Sequence, residues 1–173
     1  MEEWLYKNDF NNRVRYTLGR PGNHPLICYG INPSTAEPGN LDNTLKSVER
    51  LAFGNGFDSW IMLNIYPQRA TNPKDIHKRV NNEIHQKNME AMSRLFSSLE
   101  KATLWAAWGT LIESRPFLRR CLSEIVSLSN EQQFPWVSIG KVTKKGHPHH
   151  PLYVKATTKY QPFDMSNYMR IDW

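Results

Sequence analysis

A chain of 173 residues, 39 % of them hydrophobic, is long enough for one domain with a sizeable core, and no composition shift divides it. Lys plus Arg is 22 and Asp plus Glu 16, a formal charge of +6 with a pI near 9.4. That is compatible with a polyanionic partner without requiring one. Two cysteines, Cys28 and Cys121, exclude a disulfide framework and lack metal-ligand spacing.

No apolar run approaches membrane-spanning length, so no membrane association is expected. The start Met1-Glu2-Glu3-Trp4 is acidic, with no apolar stretch behind it to make a signal peptide. A reducing cytoplasm is the expected setting, with both thiols acting as small hydrophobes.

In chain order, Arg13 to Leu18 alternates charged or polar with apolar residues, as a half-exposed edge strand does. Arg20-Pro21-Gly22-Asn23 is a turn. Leu26 to Ile31 is apolar without helical spacing, a short strand covered on both faces, and it runs into Asn32-Pro33-Ser34. Ligands of open parallel sheets sit beyond the carboxyl ends of the strands, where Asn32 falls.

After a loop through Asn40, Asp42 reads as a helix N-cap. Leu45, Val48, Leu51 and Ala52 follow on one face until Gly54 and Gly56. Ser59 to Ile65 is a second buried strand ending near Asn64, and Pro73 opens a short helical turn. Ile84, Met89, Met92, Leu95, Phe96 and Leu99 mark an amphipathic helix between Glu83 and Glu100. Ala102 to Trp108 is a third strand, closed by Gly109. Leu118, Cys121, Leu122, Ile125 and Leu128 mark a further helix with Pro116 in its first turn. Pro135 to Ile139 is a fourth strand, leading into Lys144-Lys145-Gly146-His147-Pro148-His149-His150-Pro151.

Alternating strands and helices predict an α/β fold, a three-layer α-β-α sandwich around a mainly parallel four-stranded sheet. The chain reads as one domain over 1–173, with a core at 26–153 and an extension without clear period at 154–173.

Four strand ends stand in order: Gly30-Ile31-Asn32-Pro33, Met62-Leu63-Asn64, Ala107-Trp108-Gly109 and His150-Pro151-Leu152. The series resembles the uracil-DNA glycosylase superfamily, the first motif being similar to the Gly-Ile-Asn-Pro of its mismatch-specific thymine and uracil glycosylases. At closer range Asn-Pro-Ser-Thr-Ala (32–36), Asp-Asn-Thr (42–44), Arg69-Ala70-Thr71 and Gly-His-Pro-His-His-Pro-Leu-Tyr (146–153) resemble the family catalogued as domain of unknown function 1643.

The glycosylase resemblance implies hydrolysis of an N-glycosidic bond to a nucleobase, in DNA or a related nucleotide, with no cofactor. Such a site needs a positioned water, electrostatic help for a sugar cation, and hydrogen bonds to the departing base. Asn32 would hold the water through its carbonyl, although an amide is no general base and the faster glycosylases carry Asp there. Asp42 is the nearest carboxylate to supply one, or simply a helix cap. Asn64 would read the base edge, or serve as a satisfied turn amide.

His150 would stabilise the leaving base. Leu152 would wedge into the stack, or pack the last segment on the sheet. Tyr66, with Tyr29 and Trp108 as the other strand-end aromatics, would stack on the base or belong to the core. Arg69, Lys144 and Lys145 would meet phosphate, Arg69 being otherwise a solvated surface cation. His147, His149 and His150 lack the further ligands of a closed zinc site, so no metal is expected. The partner is then nucleic acid, DNA foremost, or a nucleotide, with no protein partner. The competing expectation is a non-catalytic nucleic-acid or nucleotide binder with the same cleft; hydrolysis of a free nucleoside is a third.

Overall fold

The computed structural model describes residues 3–173. Seven strands form one mixed sheet: β1 (Leu5–Asp9), β2 (Val14–Gly19), β3 (Pro25–Gly30), β4 (Ser59–Asn64), β5 (Thr103–Ala106), β6 (Trp136–Ile139) and β7 (Tyr160–Pro162). Their spatial order is β1-β2-β4-β3-β5-β6-β7. The inner strands β4, β3, β5 and β6 pair parallel, while β1, β2 and β7 join antiparallel. The expected four-stranded sheet is therefore too small. Two strands precede the parallel unit in sequence, and one comes from the tail.

Strand periodicity sorts the side chains onto two cores. Ile27 and Tyr29 of β3, Ile61 and Leu63 of β4, and Leu104 and Ala106 of β5 face one side. Leu26, Cys28, Trp60, Met62 and Trp105 face the other. The helix α1 (Asn43–Gly54) covers the second side with Leu45, Val48, Leu51 and Ala52. On the first side lie α2 (Asn82–Ser97), through Ile84, Met92 and Phe96, and α3 (Phe117–Gln132), through Leu118, Cys121, Leu122 and Ile125. Helices on both faces of the sheet make three layers.

The helices α1 and α2 start where the sequence supplies a side-chain cap, whereas α3 follows Pro116 with no side-chain cap bond. The Asp42 carboxylate accepts the Leu45 N–H at 2.9 Å, and the Asn81 amide oxygen accepts those of Glu83 and Ile84 at 3.0 and 3.3 Å. Pro73 opens a three-residue 3₁₀ turn capped by Asn72.

Two further expectations are corrected. The stretch Arg13 to Leu18 is not a half-exposed edge, because every residue of β2 is buried between β1 and β4. Its polar residues Arg15 and Thr17 are buried within the protein, and only Arg13, just ahead of the strand, is exposed. The tail after Val154, read as lacking a period, forms β7 and the short α4 (Met165–Tyr168), with Met165 and Tyr168 in the core. Its aromatics mark burial without a repeat: Trp108 packs on Phe163 and Tyr168 at 6.3 and 5.7 Å between ring centroids.

Candidate active site

Between β3 and β5 the chain reverses direction across the sheet. From β3 it leaves through α1 on one face to β4, then returns through α2 on the other face to β5. Such a switch opens a crevice at the carboxyl ends of the strands. A cavity of 140 Å³ lies there. Gly30 to Ser34 follow from β3, Trp108 from β5, Asp42, Thr44 and Leu45 from the start of α1, and His150 from the last loop. Larger grooves of 480 and 470 Å³ flank the first hairpin, away from this convergence.

Hydrogen bonds build the cavity onto the sheet. The carbonyls of Gly30, Ile31 and Pro33 accept the N–H groups of Ile65, Tyr66 and Ala70, each at 2.9 Å, which carries the β3–β4 pairing past the strand ends. Gly109, at φ +61°, turns the chain after Trp108, and its N–H reaches the Pro148 carbonyl at 3.0 Å. A Cβ at Gly109 would come within 3.7 Å of His150 Cβ. The Trp-Gly pair thus seats the histidine loop against the strand ends.

Asn32 is fixed in orientation. Its Nδ2 donates to the carbonyls of Pro33, Gln68 and Ala70 at 3.0, 3.2 and 2.9 Å. Three acceptors around one end of the amide require that end to be the NH₂. Oδ1 is left as the acceptor of a residue that lines the cavity.

Asp42 lines the same cavity as the α1 cap, one oxygen on the Leu45 N–H. His150 Nδ1 accepts the Leu152 N–H at 3.2 Å, so the neutral ring carries its proton on Nε2. Desolvation and the neighbouring His149 push the His150 pKa down, against a smaller upward pull from Asp42. The three residues named as catalytic from sequence therefore meet at one cavity.

Asn64 adjoins it without lining it. It is 2 % exposed and pairs in register with Gly30. Its buried Nδ2 has no hydrogen-bond partner and lies 3.8 Å from where a Gly30 Cβ would sit. A buried amide donor left unpaired costs about 1–3 kcal/mol, and the Met62 methyl, 2.8 Å from that same Cβ position, occupies the space beside Gly30.

The remaining candidates lie elsewhere. Tyr66 is buried in the α2–α3 core, its hydroxyl 2.6 Å from His77 Nδ1 and accepting the Asn81 N–H at 3.0 Å. Trp108 is the strand-end aromatic that lines the cavity. Arg69 clips the 34–36 loop instead of facing the cavity, donating to the Ser34 and Ala36 carbonyls, the Tyr6 hydroxyl and Asn12 Oδ1. Leu152 is partly exposed and contributes only its N–H, to His150. Lys144 is exposed, and Lys145 pairs with Glu113 at 2.8 Å.

His147 is fully buried, its Nδ1 2.8 Å from the Tyr168 hydroxyl. Among the described residues no group of three His, Cys, Asp or Glu is arranged to hold a metal ion.

Sequence reading missed Arg15 and Leu111. Arg15 is 2 % exposed, lines the cavity and donates from Nη1 to the Ala36 carbonyl at 3.2 Å. Burial, followed by the nearby Arg69, lowers its pKa to about 10, so it remains charged at neutral pH. Leu111 is a lining residue that is 40 % exposed. The available signal for Arg15 was a cation in mid-strand; nothing in the sequence pointed to Leu111.

The architecture and this cavity define an α/β layered protein with a polar site at the carboxyl ends of its parallel strands. A family model described as a protein of unknown function (DUF1643) matches residues 15–152, and the chain belongs to that family. No curated protein and no solved structure matches. Among the described residues no helix is long and apolar enough to cross a membrane.

Proposed function

We propose that the cavity receives a nucleobase of DNA or of a related nucleotide, and that the protein hydrolyses its N-glycosidic bond as uracil-DNA glycosylases do. One observation carries the reading. Asn32, Asp42 and His150, distant in sequence, line a single small cavity at the switch point of the sheet. Its 140 Å³ falls below the range of whole-ligand pockets, which suits one inserted group of the nucleotide and not the whole of it.

In this scheme Asn32 Oδ1 holds a water against the sugar C1′. The free oxygen of Asp42 takes a proton as the water oxygen bonds to that carbon. The C1′–N pair leaves with the base, and His150 Nε2–H donates to the charge that builds on it. The exposed Lys144 stands beside the histidine loop, where a phosphate backbone would run.

Oligonucleotides bearing uracil, mismatched thymine or hypermodified bases test the scheme. Free base is released by the parent protein, and Asn32→Ala lowers the rate roughly a hundredfold or more. A second reading, a non-catalytic nucleic-acid or nucleotide binder, draws on the amide at position 32, which cannot act as a base. Tight binding without release of any base would establish it and remove the hydrolase.

A further inference from the structure

Charges around the cavity are not balanced alike. Asp42 lies at the N-terminus of the 12-residue helix α1, where one carboxylate oxygen takes a helix N–H and the helix field offsets its charge. Arg15 has only the through-space field of that carboxylate and no ion-pair contact among the described residues. It is buried, lines the same cavity, and the one hydrogen bond of its guanidinium goes to a neutral carbonyl, that of Ala36. Arg69 donates to that same oxygen from both of its terminal nitrogens, at 3.2 Å each, so two guanidinium groups converge on one acceptor.

Among the described residues Arg15 forms no ion pair with any carboxylate; Asp42 acts on it through space. A buried cation without a counter-charge is costly, and a protein keeps one where a ligand supplies the missing charge. The guanidinium fork also suits an oxyanion better than a neutral carbonyl.

We propose that the group seated against Arg15 is anionic, so that the substrate carries a carboxylate or phosphate oxyanion into the cavity. This deepens the nucleobase reading by naming the substrate class: an acidic base or an anionic nucleotide in place of a neutral base. Arg15 is the residue that selects it. Asp42, which lines the same cavity, repels the same anion and sets an upper limit on its affinity.

Calorimetry on the intact protein with inorganic phosphate, 5-carboxyuracil and uracil tests this and separates the two sources of charge. At least one anion is expected to bind tenfold or more tightly than uracil. Arg15→Gln should remove that preference. Asp42→Asn should strengthen anion binding about threefold or more, a gain that misfolding cannot imitate, and Asn caps a helix as well as Asp does.

A preference for phosphate alone assigns the charge to a nucleotide, and a preference for 5-carboxyuracil alone to the base. Equal binding of uracil and 5-carboxyuracil without phosphate binding overturns the anionic class and leaves the base site standing. Anion binding unchanged in both variants also overturns it. Failure of all three ligands removes both readings. Base release from oligonucleotides is scored separately: its absence beside an intact anion preference removes only the hydrolase.

Discussion

At the residue scale the most informative side chain is Asn32. Its amide nitrogen is ringed by three carbonyls, an arrangement that a carboxylate cannot enter without repulsion. Asn32→Asp is therefore expected to destabilise the protein more than Asn32→Ala at pH 7. The cost is about 1–3 kcal/mol for the lost bonds, with charge repulsion added. Denaturant melts should show the gap between the two variants closing towards pH 4, as the introduced carboxyl protonates and again offers a donor.

The same ring explains why position 32 was legible and Arg15 was not. Asn32 stands where a strand runs out into a Pro-containing loop, a place that sequence marks. Arg15 stands in a strand whose alternation is identical whether its polar face meets water or a lined cavity.

Among the elements, those that follow a period were readable. The central strands and the three long helices carry repeats of two and 3.6, and Asp42 and Pro73 announce their helix starts. Four pieces escaped: β1 has mixed polarity, β7 is exposed throughout, α4 is too short to show a repeat, and the 3₁₀ turn Gly109–Ser114 has no capping side chain to announce it.

The docking of α4 carries its own pH dependence. The Tyr168 hydroxyl accepts the Trp108 indole N–H at 2.9 Å and lies 2.8 Å from His147 Nδ1, to which it can donate only while that nitrogen is unprotonated. Burial holds the His147 pKa below its ordinary value, against an upward pull from Glu113, with Lys145 lowering it further. The indole of Trp173 also packs on the ring, at 5.1 Å between centroids.

A group whose folded pKa is lowered resists protonation in the native state, whereas the unfolded chain takes the proton near about 6.5. Stability contributed through this contact is full above that value and lost as the pH falls below it. Thermal melts from pH 8 to pH 5 should show a falling midpoint, and His147→Asn should flatten part of that slope. An unchanged slope would place the dependence on His24 or His150, which are also lowered.

Across the whole molecule, the sheet separates two cores that meet only through its strands, and each holds one of the two cysteines. Cys28 lies in the middle of β3 on the α1 side, and Cys121 lies on α3 on the other. Both thiols are fully buried, and desolvation raises the pKa of each, that of Cys121 to about 12. Neither reacts as a thiolate while its layer is closed. The chain thus contains an internal pair of timers. With a maleimide in excess, labelling of Cys121 before Cys28 would mean that the α2–α3 layer opens first, and simultaneous labelling that the molecule opens as a unit.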